Sequence, residues 1–230
     1  MIAVNARPSA TLPPELLERL RRIPPATIGH VLAFGFMDSG LRPLGRRGFT
    51  VCGPATTVRT MAIDSTVVHQ AISLAEPGDI LVIDRTGDTK HACWGEMTSL
   101  AAQVRGLAAT IVDGPATDIV EIEEMAYLVF SRGVSPITTR SLAQFGEINT
   151  VVQCGGVSVA PGDIVLADDN GILVLPPVRV AELVEHCEPI AQREPTTRQR
   201  LRAGEPLAEI TGANGKIAAA LAARAASGHG

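Results

Sequence analysis

The chain has 230 residues and a mass of 24.1 kDa, with 46% hydrophobic and 19% charged residues. That is enough apolar material for a sizeable core, and it excludes a stapled miniprotein and a disordered chain. Twenty Lys and Arg against 24 Asp and Glu give a net charge of −4, and no basic block is longer than Arg21-Arg22 or Arg46-Arg47, so nucleic acid is not expected as a partner.

The apolar runs, such as Ile80-Leu81-Val82-Ile83, fall far short of the roughly 20 residues that span a bilayer. The N-terminus has no apolar stretch of signal length, so a cytoplasmic protein with no membrane partner is expected. Aromatic residues are scarce, so the core is expected to be built from Ala, Val, Leu and Ile, and the single tryptophan, Trp94, stands out. Cys52, Cys93, Cys154 and Cys187 show no Cys-x-x-Cys spacing and read as small buried thiols rather than disulfides or zinc ligands.

In chain order, Pro13-Pro14 and early acids start a helix that Pro24-Pro25 stops. A second short helix follows over 26–32, ending in a Gly-rich segment. From Gly48 β-branched residues dominate, predicting a strand over 49–60 broken by a Gly-Pro turn. Residues 80–84 read as a buried strand. Trp94, Met97, Leu100, Ala101 and Val104 recur at helical spacing before Gly106, and 107–113 is again a strand, giving a β-α-β unit.

A short helix over 119–125 and a strand over 127–131 come next. Four closely spaced strand candidates lie between 150 and 175. Residues 178–202 read as helix that Pro189 and Pro195 should kink or split, and the Ala-rich stretch 216–225 reads as a terminal helix. Pro77-Gly78-Asp79 and Pro161-Gly162-Asp163 each launch a short strand ending in Asp. The organisation predicted is an α/β domain over 27–205, with a helical lead-in over 1–26 and a helical tail over 206–230.

Polar residues gather where the central strands end, which is where open α/β sheets place ligands. The segment Asp113-Gly114-Pro115-Ala116-Thr117-Asp118 predicts a tight turn that leaves Thr117 or Asp118 at a helix start, as an N-cap or as a ligand-binding group. Gly95 opens the preceding helix, either as a simple turn or as a close approach for a carboxylate or phosphate held by the first amides. Glu96, Asp118 and Asp88, if they converge, supply hard oxygen ligands that select Mg2+ or Mn2+ over zinc, and such an ion polarises a carbonyl and stabilises an enolate.

The five histidines, His30, His69, His91, His186 and His229, do not pair at i,i+4, and His91 draws notice by its place just before Trp94. There is no Gly-x-Ser-x-Gly elbow, Walker A segment or dinucleotide fingerprint.

Asp84-Arg85-Thr86-Gly87-Asp88, Trp94-Gly95-Glu96, Arg105-Gly106, Asp113-Gly114-Pro115-Ala116-Thr117-Asp118, Arg132-Gly133-Val134-Ser135-Pro136 and Gly155-Gly156-Val157-Ser158-Val159-Ala160-Pro161-Gly162-Asp163 occur in that order. Together they resemble the RraA-like family over residues 27–205. The family includes 4-hydroxy-4-methyl-2-oxoglutarate/4-carboxy-4-hydroxy-2-oxoadipate aldolases, which also decarboxylate oxaloacetate, and the regulator of ribonuclease E activity. The resemblance implies an α/β/β sandwich of the swivelling phosphohistidine-domain type, assembled as a homotrimer or a dimer of trimers with sites between subunits.

It further implies that Asp118 holds a divalent ion with Glu96 nearby, and that the amides of Met97 and Thr98, beside Gly95, grip a pyruvyl carboxylate. Glu194 of an adjacent subunit would then activate a water. The family's Arg before the metal-binding Asp is Thr117 here. A hydroxyl does not replace a guanidinium that stabilises an enolate, so another cation is expected, from Arg85, Lys90, His91 or Arg140.

The expectation is a metal-dependent lyase acting on a small oxo acid, in which Arg85, His91 and Thr117 also contact substrate. The alternative is a non-catalytic regulator that binds a protein such as a ribonuclease.

Overall fold

The structure, a computed structural model, describes residues 1–8, 12–45 and 47–227, so Arg46 and His229 lie outside the described residues. The chain divides into two units, a body of Met1–Glu188 and an arm of Pro189–Gly230.

The body opens with β1 (Ile2–Val4), α1 (Pro14–Arg21), α2 (Pro25–Ile28) and β2 (Arg42–Leu44). The alternating part follows as β3 (Thr50–Arg59), α3 (Thr66–Leu74), β4 (Ile80–Asp84), α4 (Glu96–Arg105), β5 (Ala109–Ala116), α5 (Ile119–Met125) and β6 (Val129–Val134). Short strands β7 (Gly146–Ile148), β8 (Val152–Cys154), β9 (Val157–Val159), β10 (Ile164–Asp168) and β11 (Gly171–Leu175) precede α6 (Pro177–Arg202), which runs into the arm, where α7 (Leu207–Ile210) and α8 (Ala213–Ser227) follow.

Strands β3, β4, β5 and β6 pair in parallel as the centre of the sheet. All five residues of β4 are buried, as expected of a parallel strand covered on both faces. Its period-2 alternation divides two cores. Leu81 and Ile83 face Val68, Ile72, Trp94 and Ile122 beneath the helices, while Ile80 and Val82 face Val165, Ala167, Ile172 and Val174 of the β10–β11 hairpin. The fold is therefore mixed α/β with a mostly parallel central sheet and helical crossovers.

Local chemistry explains most boundaries. Pro14 occupies the first turn of α1, and α4 ends at Gly106, whose φ of 86° is the left-handed cap that glycine adopts without strain. The Pro-Gly-Asp repeats make the same turn twice. Asp79 accepts the amide of Glu76 (3.0 Å), and Asp163 accepts that of Ala160 (2.8 Å).

Four local expectations are corrected. Asp113-Gly114-Pro115 is not a turn after the strand: β5 continues to Ala116 across a register irregularity between Val112 and Pro115. Pro189 and Pro195 do not split α6, which is one 26-residue helix. Helix α3 and strands β1, β2 and β7 were not expected. The spaced apolar residues of α4 do not form its buried face: Met97, Leu100, Ala101 and Val104 are exposed, and the helix buries Ser99 and Ala102 instead.

The four thiols are free, and burial pushes Cys52 up to about 12 and Cys93 to about 11. Among the described residues no helix is long and apolar enough to cross a membrane.

Candidate functional site

The loops that leave the C-terminal ends of β3, β4, β5 and β6 converge on a cleft of about 190 Å3. The first groups to place are the amides that open α4. Of its unpaired N-terminal amides, that of Glu96 donates to Asp118 Oδ2 (2.9 Å), while those of Met97 and Thr98 have no hydrogen-bond partner among the described residues. The Thr98 hydroxyl accepts the Gly95 amide (2.9 Å) and fixes the turn. Beneath it, Trp94 is buried, with its indole N–H donating to Ser99 (2.8 Å) and its ring stacked on Tyr127.

Asp118 sits at the N-cap position of α5 with φ 55° and ψ 46°, a left-handed conformation that Asp tolerates better than most residues. Its side chain does not cap its own helix. It crosses to cap α4, and the Thr117 hydroxyl donates to its Oδ1 (3.1 Å). The backbone holds the crossing in place, because the Thr117 amide donates to Trp94 O (2.9 Å).

This arrangement requires glycine at 95. A methyl there would overlap Asp118 Oδ2 and come within 2.7 Å of Thr117 Cγ2. We expect Gly95→Ala to displace the carboxylate and destabilise the chain by about 1–3 kcal/mol. Chemical denaturation checks this, and a variant as stable as wild type would show that the crossing is not tight.

Asp118 and Glu96 are the two carboxylates that line the cleft, together with Gly95, Met97, Thr98 and Thr117. Among the described residues no group of three or more His, Cys, Asp or Glu is arranged to hold a metal. A pair of carboxylates beside open space fits a hard cation that keeps waters and takes oxygens from a ligand, and does not fit a four-ligand zinc site.

Several expected residues are placed elsewhere. Asp88 is used within its own turn: its Oδ1 accepts the amides of Lys90 (2.8 Å) and His91 (3.0 Å), and its Oδ2 meets His91 Nδ1 (2.8 Å). Burial raises the Asp88 carboxyl, but those bonds and the Arg85 charge outweigh it and hold the group below the usual range. Lys90 and His91 do not line the cleft.

Arg85, expected to contact substrate, is 0% exposed and also does not line the cleft. Its Nη2 donates to the carbonyls of Ala62 (2.7 Å) and His91 (3.2 Å) and to Asp88 (3.3 Å), tying two loops together. Glu194 lies on the arm portion of α6, where it accepts from Arg198 (3.3 Å).

Of the four candidate cations, Arg140 lines the cleft. Its guanidinium makes no hydrogen bond or ion pair among the described residues. Its backbone is threaded between two loops, with the Arg140 amide donating to Ile63 O (2.6 Å) and its carbonyl accepting the Ser65 amide (2.9 Å).

Asp64 anchors the same segment. One oxygen accepts the Thr66 hydroxyl (2.7 Å) and the amides of Thr66 (3.0 Å) and Leu142 (3.2 Å), and the other accepts the amides of Gln144 (2.7 Å) and Phe145 (3.2 Å). Burial raises this carboxyl, but the Thr66, Gln144 and Phe145 bonds hold it well below the usual carboxylate range. His69 of α3 also lines the cleft. No motif in the sequence marks His69 or its helix.

The fold and cleft define an α/β protein with two acids and a bare helix start gathered at the C-terminal edge of a mostly parallel sheet. The RraA-like family model (Aldolase/RraA) matches residues 29–174, and the chain belongs to that family. A protein from Halalkalibacterium halodurans named "Putative 4-hydroxy-4-methyl-2-oxoglutarate aldolase" is 33% identical over 163 residues, covering 70% of this chain and 77% of that one.

Among solved structures, Streptomyces coelicolor RraAS2, described as an unusual member of the RNase ES inhibitor RraA family, is 28% identical with a TM-score of 0.73, over 84% of this chain and all of that one. The RNA-processing inhibitor RraA from Thermus thermophilis is 26% identical with a TM-score of 0.57, over 61% and 84% of the two chains.

Proposed function

We propose that the chain is a Mg2+- or Mn2+-dependent carbon-carbon lyase that acts on a small oxo acid, by retro-aldol cleavage of a 4-hydroxy-2-oxo acid or decarboxylation of oxaloacetate. The observation that carries this reading is the pair of unpaired amides at Met97 and Thr98, opening into a cleft that also holds Asp118, Glu96 and an unpaired Arg140. The aldolase name on the Halalkalibacterium relative supports the same class.

Asp118, with Glu96, would hold the ion, which when bound supplies Lewis-acid polarisation of the oxo group. The Met97 and Thr98 amides bind the carboxylate at the positive end of the α4 dipole. Arg140 supplies the charge that Thr117 lacks and meets the negative charge that builds on substrate oxygen as the carbon-carbon bond breaks. Glu194 acts as a general base through water when a neighbouring chain delivers it. A homotrimer or dimer of trimers, the swivelling phosphohistidine-domain arrangement, a domain over 27–205 and a cytoplasmic setting belong to the same reading.

The test is pyruvate release from oxaloacetate with Mg2+, with Mn2+ and with EDTA. Turnover that depends on the metal supports the lyase, and rates equal to the buffer blank with each metal would sink it for this substrate class. Arg140→Ala is expected to raise KM roughly 10-fold or more through loss of a charge-assisted contact. An unchanged KM would remove Arg140 from substrate binding.

The two RraA structures, one described as an RNA-processing inhibitor and the other as an unusual member of an RNase inhibitor family, favour a second reading, a regulator that binds a ribonuclease. Titrating the chain into an RNase E-type cleavage assay separates the two. Inhibition that survives Asp118→Ala supports regulation.

A further inference from the structure

We propose that the substrate carries an unbranched apolar tail, and that this tail lies in a groove between α3 and α4 that continues from the cleft. The inference rests on the lyase reading above and narrows it to 4-hydroxy-2-oxo acids whose fourth carbon bears a short alkyl chain.

Continuity comes first. The groove, of about 230 Å3, is lined by His69, Ile72 and Ser73 of α3 and by Met97, Thr98 and Ala101 of α4. His69, Met97 and Thr98 also line the cleft, so the two spaces share a wall. Two of the shared residues, Met97 and Thr98, carry the amides that have no partner. An acid whose carboxylate sits on those amides therefore has the groove beside it as a path for the rest of the molecule.

The lining then selects the chemistry. Ile72 is buried, at 5% exposed, while Met97 is 64% exposed and has the adaptable thioether chain that suits an apolar ligand. The hydroxyls of the lining are turned onto nearby backbone. That of Thr98 accepts the Gly95 amide (2.9 Å) and donates to the Gly95 carbonyl (3.0 Å), and that of Ser73 donates to His69 O (3.4 Å).

Among the described residues the lining contains no Lys, Arg, Asp or Glu. A second carboxylate entering the groove would be desolvated without a fixed positive partner, which is costly. An alkyl chain instead covers Ile72, Met97 and Ala101 and takes apolar surface out of water. The groove thus disfavours a dicarboxylate and favours a tail of methylenes.

The reaction balances with such a substrate. The bond between the third and fourth carbons breaks, the 4-hydroxyl loses its proton, and the electron pair passes to the pyruvate enolate, which takes up a proton. The tail leaves on an aldehyde.

The test is calorimetric titration of the full chain, with Mg2+ present, by pyruvate, 2-oxohexanoate and 2-oxooctanoate. Each methylene fully buried is worth about 4-fold in affinity, so 2-oxooctanoate should bind at least about 10-fold more tightly than pyruvate even in an open groove. Ala101→Phe and Ser73→Phe, changes at exposed positions on the two sides of the groove, fill it and should each bring that ratio below about 3-fold at an unaltered melting temperature. If pyruvate binds and the longer acids gain nothing, the tail site is overturned and the lyase reading stands. A gain that persists in both filled variants would also overturn it, by placing the tail elsewhere. Failure of every oxo acid to bind, pyruvate included, would remove the lyase reading and this inference with it.

Discussion

Asp118→Gly is expected to lower metal-dependent turnover of oxaloacetate by roughly 10³-fold, the scale of losing a preorganised charged group at a reacting centre, while the fold survives. Its carboxylate caps α4 through the Glu96 amide, and losing such a cap costs about 1 kcal/mol. Glycine also relieves the left-handed φ of 55°, offsetting part of that loss. Activity and stability should therefore separate, so steady-state rates and a denaturation curve on the same preparation give the answer. A variant that retains more than a tenth of wild-type turnover would remove Asp118 from the site. Asp118→Ala, which keeps the strain, should be equally inactive and slightly less stable.

The second large effect concerns Asp64, which lies outside the chemistry. Truncating it to alanine leaves five donors without their acceptor in a nearly buried loop junction, and we expect a loss of about 3 kcal/mol. Asp64→Asn should recover only part of this, because one oxygen becomes a donor facing donors.

The native carboxyl is depressed relative to an unfolded value near 3.9. The charged form's contribution is therefore complete above about pH 4 and is lost as pH falls from there through the depressed native value. Acid unfolding followed by circular dichroism should show wild type and Asp64→Ala converging in stability at the acid end. A constant gap down to pH 2 would mean that the charge is not what holds the loops.

This anchor explains why part of the cleft was legible in the sequence and part was not. Strand β4 and helix α4 show themselves through local periodicity and the stop at Gly106. Gly95, Glu96, Met97, Thr98, Thr117 and Asp118 lie in two short motifs at strand ends. The partner of Asp118 was not legible, because a cap ordinarily satisfies its own helix, and here it reaches a helix that begins 22 residues earlier in the chain.

Arg140 could be named only as one of four cations. What separates it from Arg85 is the non-local threading of 137–140 against 63–65 and 92, for which no period or spacing exists. Burial turned Arg85 into a structural tie, and Asp88 is consumed by backbone amides. The apolar spacing on α4 was readable as a helix face, but periodicity does not say whether a face meets its own core or something else.

Trp94 is the one tryptophan in the chain, and its indole lies against the one tyrosine, with ring centroids 6.4 Å apart. It also forms part of the cleft wall beside Gly95. The molecule thus carries its own optical reporter: intrinsic emission excited at the red edge arises from a single buried fluorophore in the wall of the cleft, and occupancy can be followed by a spectral shift without attaching a dye.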